Sequence, residues 1–287
     1  MRQKLFIVTL PIVLHLMSAK AQLFVGPVAG GSLSKAFFFD QPNNSDLRSK
    51  LSLGFDAGVM AQIRVHKNFC LNAQLLYAYR TKHIEGTNGA TRSDNEAKII
   101  DHMQYIELPI FYILEFKNLT GKSKGKGGKT KAYDWFIGGG PTISYWMSNK
   151  GTLRSSYLLE NQIDHVNYTS LFGRDNTSFE SGPGGPDDNK ENISSPNRYQ
   201  FAINITGGVA FEPIGFRKIV TSVSVNIAQT YLGKSDGYYP ISFVDSDPMK
   251  VKNHNIRISV AYLFDTKLQD RKKGKSTIKD VPSRRRK

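Results

Sequence analysis

The stretch Gln104-Tyr105-Ile106-Glu107-Leu108-Pro109-Ile110-Phe111-Tyr112-Ile113-Leu114-Glu115-Phe116 separates into two faces when every second residue is taken. Ile106, Leu108, Ile110, Tyr112, Leu114 and Phe116 form an unbroken apolar face, while Glu107, Pro109, Phe111 and Glu115 stand on the other. Alternation of this kind marks a strand lying between two unlike environments. The rest of the chain decides whether the apolar side meets protein or lipid.

The same alternation recurs on both sides of this strand. It is found near 22–39 (Gly-rich and weakly patterned), 51–65, 69–80, 133–147, 199–211, 219–231 and 255–264. With the opening stretch as the fourth, that makes eight strands. Their apolar faces are aliphatic, whereas the opposite faces carry Gly, Ser, Thr, Asn, Gln and charges. A soluble ligand-binding barrel would show the reverse, with an apolar interior and a polar exterior. Aromatic residues cluster near strand ends, among them Tyr77, Tyr79, Phe116, Trp135, Tyr145, Tyr199 and Phe264. The connections around Lys67 and Gly215 are tight, and others are long and polar. These features are those of a membrane barrel with interfacial girdles, short periplasmic turns and long outer loops. A mean hydropathy of −0.37 is compatible with it, because only alternate residues need be apolar.

The expected fold is therefore all-β: a single eight-stranded antiparallel up-and-down transmembrane β-barrel over 22–265. It has a long outer loop at about 150–197, a basic periplasmic turn at 117–131, and both termini in the periplasm. The expected location is the outer membrane, with its lipid as the first partner. Residues 1–21 read as a cleavable secretory signal. Arg2 and Lys4 precede an apolar run of 13 residues from Leu5 to Met17, and Ser18-Ala19-Lys20-Ala21 offers small residues before Gln22. That run is too short for a membrane-spanning helix. Cys70 is the only cysteine, which excludes a disulfide framework and a cysteine-based metal site.

Tyr105-Ile106-Glu107-Leu108-Pro109-Ile110 resembles the Tyr-Leu-Glu-Ile-Pro-Leu strand of the PorT-like outer-membrane β-barrel family of Bacteroidetes, with Tyr105, Glu107 and Pro109 as its motif residues. Gly138-Gly139-Gly140-Pro141 is similar to that family's fifth strand, and Ser259-Val260-Ala261-Tyr262 to its last. The resemblance implies a small outer-membrane barrel without enzymatic activity. In the family's named member it implies an accessory of type IX protein secretion. A structural or surface ligand-binding barrel with no secretion role is the alternative.

The formal charge of +15 is unevenly distributed. Residues 117–131 hold six Lys and no acid, and 266–287 hold ten Lys or Arg against Asp270 and Asp280. An exported barrel does not meet nucleic acid, and the chain has no aromatic-basic recognition motif. Lys122, Lys124 and Lys126, with Arg284, Arg285 and Arg286, suit contact with an acidic periplasmic or secretion-system protein, or with anionic headgroups. A solvated tail from 266 to 287 is the competing reading.

Nothing in the chain spells out catalysis. Gly-x-Ser-x-Gly is absent. Asp101-His102 is a pair that a loop Ser would have to complete. Asp187, Asp188 and Glu191 lack the spacing of a Ca²⁺ loop. No cofactor is expected. Asp56, Arg64, Arg80, Glu107, Glu115 and Arg257 fall on inward faces, and an eight-stranded interior is only wide enough for side chains. They are expected to pair as a packed polar core, Glu107 with Arg64, Arg80 or Arg257. Pro109 removes a ladder donor, for which a β-bulge is the expected remedy.

Overall fold

The computed structural model describes residues 22–38, 45–66, 68–88, 96–117, 133–172, 180–181, 189–193, 195–214, 217–234, 238–239, 247–248 and 250–266. Eight strands close a ring: β1 (Gln22–Phe38), β2 (Ser52–Arg64), β3 (Phe69–Asn88), β4 (Glu96–Lys117), β5 (Tyr133–Ser155), β6 (Tyr199–Ile214), β7 (Arg217–Ala228) and β8 (Val251–Asp265). Each pairs antiparallel with its neighbours, and β1 meets β8 through pairs such as Val28 with Ala261. Closure satisfies the backbone within the wall and leaves no sheet edge, which a strand-built membrane protein requires. No helix among the described residues is long and apolar enough to cross a membrane.

The faces lie as the alternation requires. Ile106, Leu108, Tyr112, Leu114 and Phe116 are exposed on the outside of the ring, with Leu53, Ile205, Val225 and Ile258 on other strands. Glu107, Phe111, Ile113 and Glu115 are buried inside it. Such a band of outward apolar side chains is what a lipid-facing wall presents. Stacked rings mark its margins: Phe116 on Trp135 at 4.2 Å toward the end that carries the chain termini, and Phe55 on Tyr79 at 5.2 Å toward the far end.

Strands β3, β4 and β5 run well past the far margin of this band. There the alternation changes sign. Ile84, Ile99, Met103 and Leu153 point inward, while Lys98 and Arg154 face outward. Water replaces lipid outside the ring, so the apolar residues turn to the interior. The strand Ser45–Lys50 widens this extension by pairing with β3, and Val166–Phe172 does so by pairing with β5. The stretch 150–197 thus contains the end of β5, a short helix α1 (Ser156–Glu160), and the strands Val166–Phe172, Glu180–Ser181 and Asn189–Ile193.

The bulge expected at Pro109 is not there. Pro109 stands opposite Thr142 in unbroken register with β5. Its missing donor leaves the ladder to β3 without paired residues between Ala73–Ile110 and Leu76–Glu107, and the register on that side does not shift. The register shift occurs at Gln104/Tyr105, where Met147 of β5 has no partner. Its effect is large. Before it, even-numbered residues of β5 point inward (Phe136, Thr142, Ser144, Trp146); after it, odd-numbered ones do (Asn149, Leu153, Ser155).

Candidate functional site

The inward face of β4 supplies a carboxylate at three levels of the lumen, and neighbouring strands supply the cations. Nearest the termini, Glu115 accepts from Arg64 at 3.1 Å and from Gln62 at 2.9 Å, and it pairs with Lys218 of β7. At mid-depth Glu107 pairs with Arg80 at 2.6 Å and accepts from Ser144 at 3.3 Å. Asp56 and Arg257 share this level electrostatically with Arg80 and Glu107, and Arg257 donates to Gln74 at 3.3 Å. Toward the far end Asp101 pairs with Lys82 at 3.2 Å and accepts from Tyr168 at 2.6 Å and Asn149 at 3.1 Å. Every one of these carboxylates lies beside at least one cation, as burial demands, since an isolated ion in this interior is costly.

Two apolar clusters bracket the mid-depth charges. One, nearer the termini, contains Phe24, Met60, Phe111, Phe136 and Leu263. Phe136 fits because position 208 is glycine: a methyl group there would strike its ring. The other cluster closes the far mouth with Ile99, Tyr105, Trp146, Leu153, Tyr168 and Ile193. Tyr105 stacks on Trp146, and the ring of Phe172 meets Trp146 edge-on at 4.7 Å. Gly151 leaves the space that Tyr168 crosses to reach Asp101. A cavity between the mid-depth and far charges, beside Arg80, Lys82 and Met103, measures only about 10 Å³. The described lumen is a packed core.

The six inward charged residues named from the sequence all point into this core. Of the three candidate partners for Glu107, Arg80 is the one that pairs with it. Tyr105 and Pro109, the other motif residues, are also buried inside. Lys82, Asp101 and Lys218 complete the ion pairs without having been singled out as lumen charges. All three lie on inward parity, so the alternation contains the signal. Asp101 and His102 do not form a catalytic pair. Neighbours on a strand point to opposite faces, and His102 stands outside, stacked on Tyr79. Among the described residues no three His, Cys, Asp or Glu side chains gather as metal ligands. Lys122, Lys124, Lys126, Arg284, Arg285, Arg286, Asp187, Asp188 and the signal segment lie outside the described residues.

Solved outer-membrane proteins align with most of the chain. Neisserial surface protein A aligns at 10% identity and TM-score 0.33, covering 85% of this chain and 98% of its own. Ail, the attachment invasion locus protein of Yersinia pestis, aligns at 8% and 0.31, covering 84% and 98%. OprG from Pseudomonas aeruginosa aligns at 8% and 0.36, covering 85% and 94%. No curated protein matches the sequence. The model of the outer membrane protein beta-barrel domain matches residues 18–228, from ahead of β1 to the end of β7. With that match and a closed ring of eight strands, the chain belongs to the outer membrane protein β-barrel domain family.

Proposed function

We propose that this protein is a non-enzymatic, non-conducting, PorT-like barrel that serves type IX protein secretion as an accessory, with both termini in the periplasm. The observation that carries the reading is the structural use made of the motif Tyr105-Ile106-Glu107-Leu108-Pro109-Ile110. Glu107 neutralises Arg80 at the centre of a filled lumen, Tyr105 seals the far mouth, and Ile106 and Leu108 face outward. A barrel so filled works through its surfaces and attached segments, not through a channel. In this topology the basic segments 117–131 and 266–287 enter the periplasm, where an acidic secretion-system protein is a fitting partner. Deleting the gene tests the role. Loss of secreted proteases or of gliding, restored by the full chain, is the expected outcome. Restoration by a chain lacking 266–287 would remove the tail from the proposal.

A second reading, a barrel that binds a ligand at the cell surface, is favoured by the ordered extension of β3, β4 and β5 beyond the apolar band. Unchanged secretion and gliding in the deletion strain would select it.

A further inference from the structure

The outward wall of the far extension carries cations in successive rows. Cross-strand pairing sets Thr81, His102 and Lys150 in one row, then Lys50, His83, Ile100 and Thr152, then Arg48, Glu85, Lys98 and Arg154. The last two rows border a groove of about 630 Å³ lined by Arg48, Lys50, Lys98 and Arg154, with Glu85 as the one carboxylate among the described residues that line it. Glu85 sits between its neighbours, 2.9 Å from His83 and 3.5 Å from Lys98, and also pairs with Lys50. Arg154 pairs with Asp164 at 3.1 Å. Among the described residues of these rows, with Asp164, the positive side chains outnumber the negative ones. Cations continue around the rim, each over an outer ring: Lys35 on Phe37, Arg198 on Tyr145 and Lys252 on Tyr231.

Two features define what such a wall can hold. It faces sideways, continuous with the lipid-facing band below it, and does not face up from the mouth. Its rows also climb. Tyr79 and Gln104 pair at the band's margin, and each further pair of residues along the tilted strands adds roughly 5 Å of height. Along β4, His102, Ile100 and Lys98 therefore stand at about 5, 10 and 15 Å above the apolar band, and the other members of each row are offset from these heights by roughly 3 Å per strand, because a row runs at right angles to tilted strands. The headgroup layer of an ordinary phospholipid is only about 5–8 Å deep on each side of the bilayer. A lipid that meets all three rows must carry its anionic groups on a taller headgroup.

We propose that this wall is a docking site for a phosphorylated glycolipid of the outer leaflet, whose sugar-borne phosphates are held by Lys50, Lys98, Arg154 and Lys150. The site rests on the orientation given above, in which the far end faces outward, but not on a role in secretion. Its ion pairs with phosphate would be charge-assisted.

The test uses the full chain in nanodiscs containing lipid A with phosphorylated core sugars, the same glycolipid after phosphatase treatment, or phosphatidylglycerol. Bound glycolipid per protein is read by mass spectrometry. At least tenfold preference for the phosphorylated form is expected. It should fall to the dephosphorylated level in Lys50→Gln/Lys98→Gln/Arg154→Gln, persist in Lys98→Arg, and rise in Glu85→Gln. Heat-modifiable migration on gels checks folding. If the triple variant does not fold, Lys150→Gln and 0.5 M salt must each weaken binding on their own. Equal binding of the two glycolipid forms overturns the proposal. So does equally tight binding of the soluble phosphorylated core oligosaccharide. Orientation is read separately from Lys98→Cys on intact cells with an impermeant maleimide, since the native Cys70 is buried. Labelling only after permeabilisation overturns the orientation. Labelling without phosphate dependence overturns the glycolipid site alone.

Discussion

At the residue scale, Glu107 is the side chain with the most depending on it. It is almost fully buried and holds Arg80 at 2.6 Å. Glu107→Gln removes the carboxylate paired with Arg80 and leaves two guanidiniums, Arg80 and Arg257, against Asp56 alone. A loss of about 3–5 kcal/mol is expected, from urea unfolding in lipid vesicles. The double variant Glu107→Leu/Arg80→Met should recover much of it, because the cost lies in the unpaired ion and not in the absent pair. Glu107 and Arg80 were both legible as inward charges from alternation alone. That they pair with each other was not, because Arg64, Arg80 and Arg257 all share the required parity, and Arg80, opposite Met103 in the ladder, reaches Glu107 along the lumen four residues away. Asp101 shows the same limit. Its sequence neighbour suggested a dyad, and the pleat sends the two side chains to opposite sides of the wall.

At the scale of elements, the far extension and the membrane-spanning part of the strands obey different rules. In the extension, the Lys50 ammonium hydrogen-bonded to Glu85, with His83 beside it, holds that carboxyl below its usual range. His165 hydrogen-bonded to Asp164, followed by Arg154, does the same there. Folded values below unfolded ones mean that both groups stabilise the extension above the ordinary carboxylate range, near pH 4. That contribution is lost as pH falls through the depressed values. Both are exposed, so the effect is small and local. Limited proteolysis between pH 7 and pH 3 should show cleavage near Ser45–Lys50 and Val166–Phe172 rising below about pH 4, while the barrel stays heat-modifiable. In the spanning part the outward face answers to lipid. Leu108→Arg on β4 should cost about 2–4 kcal/mol in vesicle refolding, whereas a Lys98→Glu change in the extension should leave refolding nearly unchanged. Strand ends were placed short by the sequence for this reason: the alternation inverts where lipid gives way to water, and the unpaired Met147 shifts the inward parity of β5 from even to odd.

At the scale of the molecule, paired charges at three depths, together with two apolar clusters, make the described barrel a plugged one. In planar bilayers the purified protein is expected to give no stable ohmic conductance at neutral pH. Tyr168→Phe, which removes the bond to Asp101, should loosen the far mouth, seen as faster amide exchange around Asn149–Leu153. The sequence by itself determined the class of fold, the number of strands and the assignment of faces. Each of these follows from a two-residue period that a lipid-facing wall imposes locally. Tertiary structure alone decided which cation meets which carboxylate, where the register slips, how Pro109 is accommodated, and that the outward cations of three separate strands line one groove. These depend on register between strands, which couples residues far apart in the chain and leaves no periodic trace within any one of them.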